Sequence, residues 1–498
     1  MRKHAVALDS SYEAAELEDQ KAVIDEKQDL FTGVGDQIWA YAELSLLEYK
    51  SMELYCKVLA ENGFTVEKGL CKIPTAFSGT FGSGSPVIGI LGEFDALSGL
   101  SQKCGVAQRE ELVPGGCGHG CGHNMLGAGS LAAAFAVKEY LEKTGKSGTV
   151  IFFGCPGEEG GAGKAFMARE RAWEKLDAAL SWHPGQFNQV TTGSCISCIQ
   201  VEYKFTGIAA HAAGNPEQGR SALDAVQLMN IGVEFLREHM PDSARIHYAI
   251  TDAGGNSPNV VQPTAQVLYM VRAHKVREAM KLQARVDKIA DAAAMMTETK
   301  LTRRFIDGTA NTVSNERLEK LLYKNFLEIG VPSFSKEEKA FAQQLVDSYE
   351  MKTDGTFVDE LEDLLTTEEF ELVKEKSNGG KAPILDFLIP YHHSKKVEMG
   401  STDVGDVSWL TPTAQIGTSC FAAGAPGHSW QNVAIGATSI GHKGLLCAGK
   451  VLAAAAIDLI DDPTIIKEAH DEFMKKTAEG YVCPIPDDAV PTPVGDKM

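Results

Sequence analysis

Cysteines and histidines alternate with glycines in residues 116–129, which read GCGHGCGHNMLGAG. Cys117, His119, Cys121 and His123 therefore stand two positions apart. Thiolate sulfur and imidazole nitrogen are strong ligands for zinc and related divalent ions, and the glycines let the backbone bend so that neighbouring side chains reach one ion. A glycine-rich turn with buried cysteines would explain one such residue better than four together. The segment predicts a metal site.

Apolar runs that predict buried strands end in polar groups that could serve the same site. One run ends in Asp95, another in the pair Glu158 and Glu159, and a third in His183, while His428 follows a later predicted strand. In open, mostly parallel α/β sheets, catalytic groups gather beyond the carboxyl ends of the strands. We therefore expect these side chains to converge on one cleft with the cysteine and histidine cluster.

A hydrolytic metal site needs protein ligands, an open position for water and substrate, and a carboxylate that takes a proton from the water. Adjacent glutamates on a turning backbone point in different directions, so Glu159 can bind the ion while Glu158 acts as the general base. Most glutamate pairs are solvated surface, but this pair follows a buried strand and precedes Gly160 and Gly161, which favours function. These residue types indicate metal-assisted hydrolysis.

The size and charge of the chain exclude several classes of function. Its 498 residues allow two or three domains, and its formal charge of -20 argues against binding nucleic acid or an anionic membrane through a basic field. The apolar runs are too short to span a bilayer and the amino terminus has no signal-peptide pattern, so we expect a cytoplasmic protein. Eleven cysteines fit free thiols better than a disulfide framework, and Cys195 and Cys198 fall in a predicted strand that disfavours a redox pair.

The pattern of predicted elements changes near residue 198. Up to there, apolar strands alternate with helices, as in a mostly parallel α/β sheet. Residues 199–306 then predict the order β-α-β-β-α-β of a small ferredoxin-like module. We therefore divide the chain into a first catalytic segment, 1–197, an inserted module, 198–310, and a second catalytic segment, 311–498. Within the last segment, the acidic residues 335–376 predict a solvated surface insertion without chemistry.

Eight segments of the chain resemble the aminoacylase and glutamate-carboxypeptidase family of metallopeptidases, in the amidohydrolase branch that includes auxin-conjugate and hippurate hydrolases. They are GEFDALSGLS, HGCGHNMLG, CPGEEGGAGK, WHP, GIAAHAA, SPNVV, STDVGDVSW and GHSWQ. The resemblance covers nearly the whole chain, with several long motifs in the family's order. It implies a catalytic α/β domain with a mostly parallel sheet, interrupted by a ferredoxin-like lid and dimerisation domain, in agreement with the division above.

The resemblance also implies roles for single residues. The metal-ligand positions of the branch fall on Cys121, His123, Glu159, His183 and His428. Glu158 falls on the catalytic base, and Asp95 on an aspartate that orients a ligand without binding the metal itself. Cys117 and His119 are left as loop residues or as supports of the ligands.

Three residues of the inserted module receive roles from the same resemblance. His211 matches a lid histidine that reaches the active site of the partner subunit and helps to stabilise the oxyanion. Asn259 and Arg272 match positions near the substrate, where an arginine suits a carboxylate through a bidentate pair. The alternative for Arg272 is a structural salt bridge. The resemblance thus implies a dimer, either a homodimer or a heterodimer with a homologous subunit.

Two residues depart from the pattern of the branch. Asn124 stands where much of the branch has aspartate, and Glu93 replaces the acid or histidine that often opens the first motif. These differences leave open whether the site holds one divalent ion or two, and whether the ion is zinc or manganese. The role of Glu93 is open as well.

The expected reaction is hydrolysis of the amide bond of an N-acyl amino acid, with p-aminobenzoyl-glutamate as the first substrate to test. Glu158 takes a proton from the attacking water, while the metal and His211 stabilise the oxyanion. One alternative is a dipeptidase or an N-acyl-amino-acid hydrolase of other specificity. A second is a partner subunit with little activity alone, which the complete ligand set and the intact glutamate pair disfavour.

Overall fold

The computed structural model describes residues 21–350 and 355–493, so the start of the first predicted catalytic segment lies outside the described residues. The strands are β1 (Thr65–Lys68), β2 (Phe77–Ser83), β3 (Val87–Glu93), β4 (Gly148–Cys155), β5 (Ala178–Gly185), β6 (Gln189–Thr191), β7 (Ser194–Cys195), β8 (Ser197–Thr206), β9 (Arg245–Asp252), β10 (Thr264–Ala273), β11 (Lys300–Thr309), β12 (Val397–Glu398) and β13 (Thr413–Ser419).

The helices are α1 (Gln28–Tyr41), α2 (Tyr49–Glu61), α3 (His123–Thr144), α4 (Gly163–Arg169), α5 (Ala222–Arg237), α6 (Val276–Thr297), α7 (Glu316–Ile329), α8 (Lys336–Asp347), α9 (Thr367–Lys376), α10 (Val404–Ser408), α11 (Trp430–Ile435), α12 (Ser439–Asp461) and α13 (Pro463–Lys476). Within the described ranges, none of the helices combines the length and the apolar character needed to cross a membrane.

Seven of these strands form the sheet of the larger unit, in the order β1-β2-β4-β3-β5-β13-β6. Strands β4, β3, β5 and β13 are parallel to one another. At one edge β2 pairs antiparallel with β4 and β1 pairs antiparallel with β2, and at the other edge β6 pairs antiparallel with β13. The apolar sequence of β4 explains its interior place, because every residue of this strand is buried. The expected mostly parallel α/β sheet is confirmed.

Helices α3 and α12 pack against each other and against this sheet. Both are rich in alanine and glycine, so their backbones approach closely. A Cβ atom on Gly449 of α12 would lie 2.9 Å from the carbonyl oxygen of Gly129 in α3. A larger residue there would push α12 away from the helix that begins at His123.

The inserted module is a four-stranded antiparallel sheet in the order β11-β8-β10-β9. Its chain order is β8-α5-β9-β10-α6-β11, which is the expected ferredoxin-like arrangement. Tyr203, Val226 and Val286 belong to its own apolar core, which the strands share with α5 and α6. The domain boundaries at residues 198 and 310 stay a prediction, and the first and last strands of this sheet extend from Ser197 to Thr309.

Two local predictions differ from the structure. The predicted strand 178–182 continues to Gly185 in β5, so His183 lies within a strand and not after it. Cys195 and Cys198 lie in different strands, because β7 pairs with β12 whereas β8 pairs with β10 and β11. All eleven cysteines are free thiols, as expected.

The region predicted as a solvated insertion is only partly exposed. Helix α8 buries Ala342 and Leu345 against the main core. Farther along, Val358 and Leu361 pack with Phe187 in a separate apolar cluster. A short apolar stripe on each element is enough for these contacts. Because many residues of the region are charged, its composition predicted a solvated surface. We call the described residues 335–350 and 355–389 the insertion segment; residues 351–354 of the predicted insertion lie outside the described residues.

Candidate metal centre

Neighbouring parallel strands bring the predicted ligands together. Strand β3 lies between β4 and β5 and ends at Glu93, which pairs with Cys155 at the end of β4. The chain beyond β4 supplies Glu158 and Glu159, and β5 supplies His183. The carboxyl ends of parallel strands meet at one edge of a sheet, which explains why residues distant in sequence converge here.

Three groups of side chains in the described residues each place three ligand atoms within 4.8 Å of one another. The groups are Cys121 with His123 and His183, Cys121 with Glu159 and His428, and Glu93 with His123 and Glu158. The five residues predicted as ligands make up the first two groups, and Cys121 belongs to both. A shared sulfur would let these residues hold two ions.

His123 begins helix α3 and is fully buried. Its Nδ1 lies 2.8 Å from Oδ1 of Asp95 and donates to that carboxylate, so Nε2 is the atom that would meet a metal. Despite burial, Cys121 and Asp95 raise the pKa of His123 well above its ordinary value, so metal binding would displace a proton from Nε2. Asp95 also accepts from the Ser45 hydroxyl at 2.7 Å and from the Glu159 backbone N–H at 2.9 Å. Burial opposes ionisation of Asp95, but His123 and these hydrogen bonds lower its pKa to about 2. Asp95 thus contacts the ligand that it is predicted to orient.

His183 projects from β5 toward the same point. Its Nδ1 lies 2.7 Å from the carbonyl oxygen of Pro184 and donates to it, which leaves Nε2 at 3.4 Å from Sγ of Cys121. Burial and the nearby His123 lower the pKa of His183, so the neutral imidazole that binds metals is favoured. In both His123 and His183, a hydrogen bond at Nδ1 therefore leaves Nε2 as the nitrogen that would bind a metal.

His428 and Glu159 form the outer side of the centre. Nε2 of His428 lies 3.4 Å from Oε2 of Glu159. The side chain of His428 is 55% exposed, compared with 7% for Glu159. The backbone of His428 has a φ of 53°, in the left-handed region that residues other than glycine rarely adopt. This outer residue is therefore much less enclosed than the two inner histidines.

Buried polar atoms that make no hydrogen bond fit a divalent cation. Nε2 of His123, Oε1 of Glu159 and Oε2 of Glu93 are buried and make no hydrogen bond among the described residues, although Nε2 of His123 lies 3.2 Å from Oε2 of Glu93. Such atoms are costly unless a ligand satisfies them. Burial and the charge of Glu159 raise the pKa of the Cys121 thiol, so its use as a thiolate ligand requires the positive charge of a metal ion. Sulfur, nitrogen and carboxylate donors together suit zinc and related ions.

Glu158 lies beside these ligands in a setting that favours its protonated form. Burial raises the pKa of Glu158 well above the ordinary range, and the negative charges of Glu93 and Asp403 add to this effect. A carboxyl oxygen of Glu158 is within 4.8 Å of ligand atoms of Glu93 and His123. A carboxyl group with a raised pKa in such a place can both accept and return a proton.

A trio of buried charges next to Glu158 was missed by the sequence reasoning. Nζ of Lys164 lies 2.7 Å from Oε1 of Glu93 and 2.6 Å from Oδ1 of Asp403, and the lysine is fully buried. Asp403 also accepts from the backbone N–H of Lys164 at 2.9 Å. Despite burial, the charges of Lys164 and His123 lower the pKa of Glu93. The available signals were a lysine in the apolar stretch GAGKAFMA and the acid in STDVGD.

Glu48, also missed, holds the loop that carries the glutamate pair. Its Oε1 accepts from the backbone N–H groups of Leu46 and Gly157, at 2.8 and 2.9 Å. Because Gly157 directly precedes Glu158, this carboxylate fixes the backbone next to the predicted base. Burial and the charge of Asp95 raise the pKa of Glu48 to about 8. No spacing in the sequence links Glu48 to a loop 109 residues away.

The other members of the opening cluster contact the surrounding backbone. Nε2 of His119 lies 3.0 Å from the carbonyl oxygen of Ile38, and burial together with His123 lowers the pKa of His119 to about 4. Asn124 donates to the carbonyl oxygen of Gly436 at 3.0 Å. In the part of the chain that is described, His119, Asn124 and Cys117 belong to none of the candidate ligand groups.

The predicted lid residues lie outside this cluster. His211 and Asn259 are exposed on adjacent loops, which are joined by a hydrogen bond of 2.9 Å from the Ala212 N–H to the Asn259 carbonyl oxygen. Arg272 in β10 donates from Nη1 to the Ser401 hydroxyl at 3.1 Å. Across the described ranges Arg272 forms no salt bridge, although its positive charge acts on the buried carboxyl group of Asp307. The role of Arg272 stays a prediction.

Three kinds of comparison relate the chain to known proteins. The family model described as peptidase family M20/M25/M40 matches residues 90–380. One subunit of the p-aminobenzoyl-glutamate hydrolase of Escherichia coli strain K12 is 44% identical over 465 residues, which cover 93% of this chain and 96% of that protein. A second subunit of the same hydrolase, from the same strain, is 27% identical over 194 residues, which cover 37% of this chain and 44% of that subunit. A dinuclear metal-binding peptidase of the M20 family from Bacillus subtilis has a TM-score of 0.51 at 14% identity, covering 89% of this chain and 99% of its own.

Proposed function

We propose that this chain, which belongs to peptidase family M20/M25/M40 and is a metal-dependent amidohydrolase, hydrolyses the amide bond of p-aminobenzoyl-glutamate. The 44% identity to one p-aminobenzoyl-glutamate hydrolase subunit, over nearly the full length of both chains, supports this substrate. The observation that carries the reaction type is the convergence of five candidate ligands beside Glu158. With this relative, the alternative of a dipeptidase is not favoured.

In this proposal five residues hold the metal: Cys121, His123, Glu159, His183 and His428. The presence of Cys121 in both ligand groups supports a pair of ions. A thiolate, imidazoles and a carboxylate suit zinc, and the same site could take manganese. When bound, the metal supplies Lewis-acid polarisation of the substrate carbonyl and of the attacking water.

Glu158 transfers the proton in this reaction. Its raised pKa lets the carboxylate accept a proton from the attacking water and keep it in a buried setting. The same carboxyl group then returns the proton to the nitrogen of the leaving amine. Lys164 and Asp403 hold Glu93 in place, so the charges that face Glu158 stay fixed.

Arg272 and Asn259 bind the carboxylates of the substrate in this proposal. Arg272 donates to the Ser401 hydroxyl and the Met270 sulfur, and no carboxylate of the described chain pairs with it. Its remaining N–H donors can therefore meet a substrate carboxylate. His211 is exposed on the lid, a placement that supports donation to the oxyanion in a second protomer.

The free edge of the lid sheet supports a dimer. Strand β9 is an edge strand, and its residues Tyr248 and Ile250 are exposed. Ile231 and Phe235 on α5 are exposed as well. Exposed apolar side chains and unpaired backbone groups at an edge strand are suited to pairing with the same strand of a second lid. The partner is either a second copy of this chain or a homologous chain such as the 27% identical hydrolase subunit described above.

Hydrolysis assays of the purified chain test this function. With manganese or zinc, we expect p-aminobenzoyl-glutamate to be cleaved faster than hippurate or simple dipeptides. Glu158→Gln should lower kcat by at least about 10²- to 10⁴-fold with unchanged metal content, because an amide cannot accept the proton. Glu368→Gln, at the exposed first residue of the glutamate pair in α9, is the matched control.

Two results would change the proposal. Full turnover by Glu158→Gln would remove this residue from the reaction. An inactive chain that becomes active only when mixed with a homologous subunit would favour the partner-subunit alternative.

A further inference from the structure

His428 differs from the other two histidines of the centre in how its ring is held. The Nδ1 atoms of His123 and His183 are each fixed by a hydrogen bond, to Asp95 and to the Pro184 carbonyl oxygen. Among the described residues, the ring of His428 makes no hydrogen bond, and its one ion-pair contact joins Nε2 to Oε2 of Glu159 at 3.4 Å. The direction of the His428 imidazole therefore depends on its backbone.

That backbone adopts a conformation that needs external support. A φ of 53° is unfavourable for a residue other than glycine and persists only where the surroundings impose it. We define residues 423–431 as the His428 loop.

Gln186 makes the most direct of these contacts. Its Nε2 donates to the carbonyl oxygen of Ala425 at 3.0 Å, and its Oε1 accepts from the N–H of Gly424 at 2.6 Å. One amide side chain thus binds the N–H of Gly424 and the carbonyl oxygen of Ala425, two adjacent residues of the His428 loop. Gln186 follows β5, the strand that carries His183, so it connects the supports of two proposed ligands.

The insertion segment holds the same loop from another direction. The N–H of Ala423 donates to the carbonyl oxygen of Pro383 at 2.8 Å. At the other end of the loop, Nε2 of Gln431 donates to the Ser348 hydroxyl at 3.2 Å. Gly424 lies close to Tyr349, since a Cβ atom there would be 3.8 Å from the tyrosine ring.

The loop is also in close contact with the inner ligands. A Cβ atom on Gly120, the residue before Cys121, would lie 3.4 Å from Cα of His428. Asn432 donates to the carbonyl oxygen of Gly120 at 3.0 Å. A small displacement of the His428 loop would therefore change the distance between His428 and the cysteine that both ligand groups share.

We propose that Gln186 and the insertion segment position His428 for metal binding, with Gln186 as the principal positioning residue. This inference rests on the proposed role of His428 as a metal ligand. It gives the insertion segment a function in the metal centre, although none of its residues belongs to a candidate ligand group within the described chain. Loss of this support should lower the metal affinity of the site formed by Glu159 and His428. The affinity of the site formed by His123 and His183 should stay unchanged.

Manganese binding by the full-length chain tests this inference. Titration calorimetry with Mn²⁺ compares the unmodified chain with Gln186→Ala, His428→Ala and the control Gln343→Ala, whose side chain contacts Asp347 within α8. We expect Gln186→Ala to weaken one of two Mn²⁺ sites by about 10- to 100-fold, as loss of a support of metal ligands commonly does, and Gln343→Ala to bind normally. Thermal unfolding is measured in parallel.

Added imidazole separates a positioning role from a general loss of stability. In Gln186→Ala, free imidazole can take the place of the misdirected His428 ring, so we expect it to restore the weakened Mn²⁺ site. A variant that is only less stable would not recover in this way, and that result would overturn the inference.

The outcomes also distinguish this inference from the proposed function. If His428→Ala binds Mn²⁺ normally, the assignment of His428 as a ligand fails, and the inference fails with it. If His428→Ala loses one site but Gln186→Ala keeps both, only the inference is overturned. Should Gln186→Ala not fold, Ser348→Ala removes one contact of the insertion segment, and normal Mn²⁺ binding by that variant contradicts the inference.

Discussion

The inner and outer sides of the candidate metal centre are held by different means. On the inner side, His123 is fully buried, and its partner Asp95 accepts three hydrogen bonds. On the outer side, His428 is largely exposed and depends on its backbone loop. A side chain whose ring is held by its own hydrogen bond keeps its orientation when distant residues change. A side chain that is held only through its backbone loop changes orientation whenever a contact of that loop is lost. The two sides should therefore respond differently to substitution.

Removal of one ligand from each side should show the largest difference. His123 contacts both the shared Cys121 and Asp95, so His123→Ala should lose all bound metal and lower kcat/KM by about 10⁴-fold or more. His428→Ala should keep one ion per chain. Metal analysis after gel filtration measures both outcomes, and equal metal loss in the two variants would contradict the distinction.

Loss of the buried cation on the inner side should be the next largest effect. Lys164→Met leaves Glu93 and Asp403 buried without their partner, which should lower the free energy of unfolding by about 3–5 kcal/mol. The control is Lys68→Met, which removes an exposed pair with Glu53 of the same 2.7 Å separation and should cost about 0–1 kcal/mol. Urea unfolding of the metal-free chain compares them.

The same measurement tests whether Lys164 acts through charge compensation. Neutralising its partners as well, in the triple variant Glu93→Gln, Asp403→Asn and Lys164→Met, should recover part of the lost stability, since no unpaired charge stays buried. If the triple variant is as unstable as Lys164→Met, then packing and not charge explains the loss.

Acid should produce a smaller effect on the inner side. The pKa of Asp95 falls from an ordinary 3.8 to about 2, so the folded chain binds this proton less tightly than the unfolded chain. The contribution of Asp95 to the free energy of unfolding is therefore complete above about pH 4. It is lost as the pH falls toward 2, by about 2 kcal/mol in total. Asp95→Asn should remove this part of the pH dependence of unfolding, whereas the exposed Asp363→Asn should not.

The inner side was also the more predictable from the sequence. Glycine-separated Cys121 and His123 and the strand-end pair Glu158 and Glu159 carry their signal within a few residues. The ferredoxin-like module was readable because its strands alternate and its helices are amphipathic. The contact between Lys164 and Asp403 could not be predicted, because the two residues are 239 positions apart. The residues next to each of them in the sequence show no distinctive pattern.

The support of the outer side was hidden for a related reason. Gln186 has no special spacing from the His428 loop, and its bonds go to backbone atoms 238 and 239 residues away, which no residue type indicates. The charge of residues 335–376 pointed to a solvated surface, although a few apolar side chains bring this region against the loop. Backbone contacts over long sequence separations are set by the finished fold and leave no local pattern.

The buried trio of Glu93, Lys164 and Asp403 limits how this protein can change over generations. The three residues come from separate parts of the chain, and the loss of any one leaves an opposite or excess charge enclosed. Replacements at these three positions should therefore accompany one another during evolution. A chain with only one of them replaced should be poorly stable. Among relatives, a chain with an uncharged residue at the position of Lys164 is expected to lack at least one of the two acids, so correlated replacement is the trace that this cluster should leave in sequences.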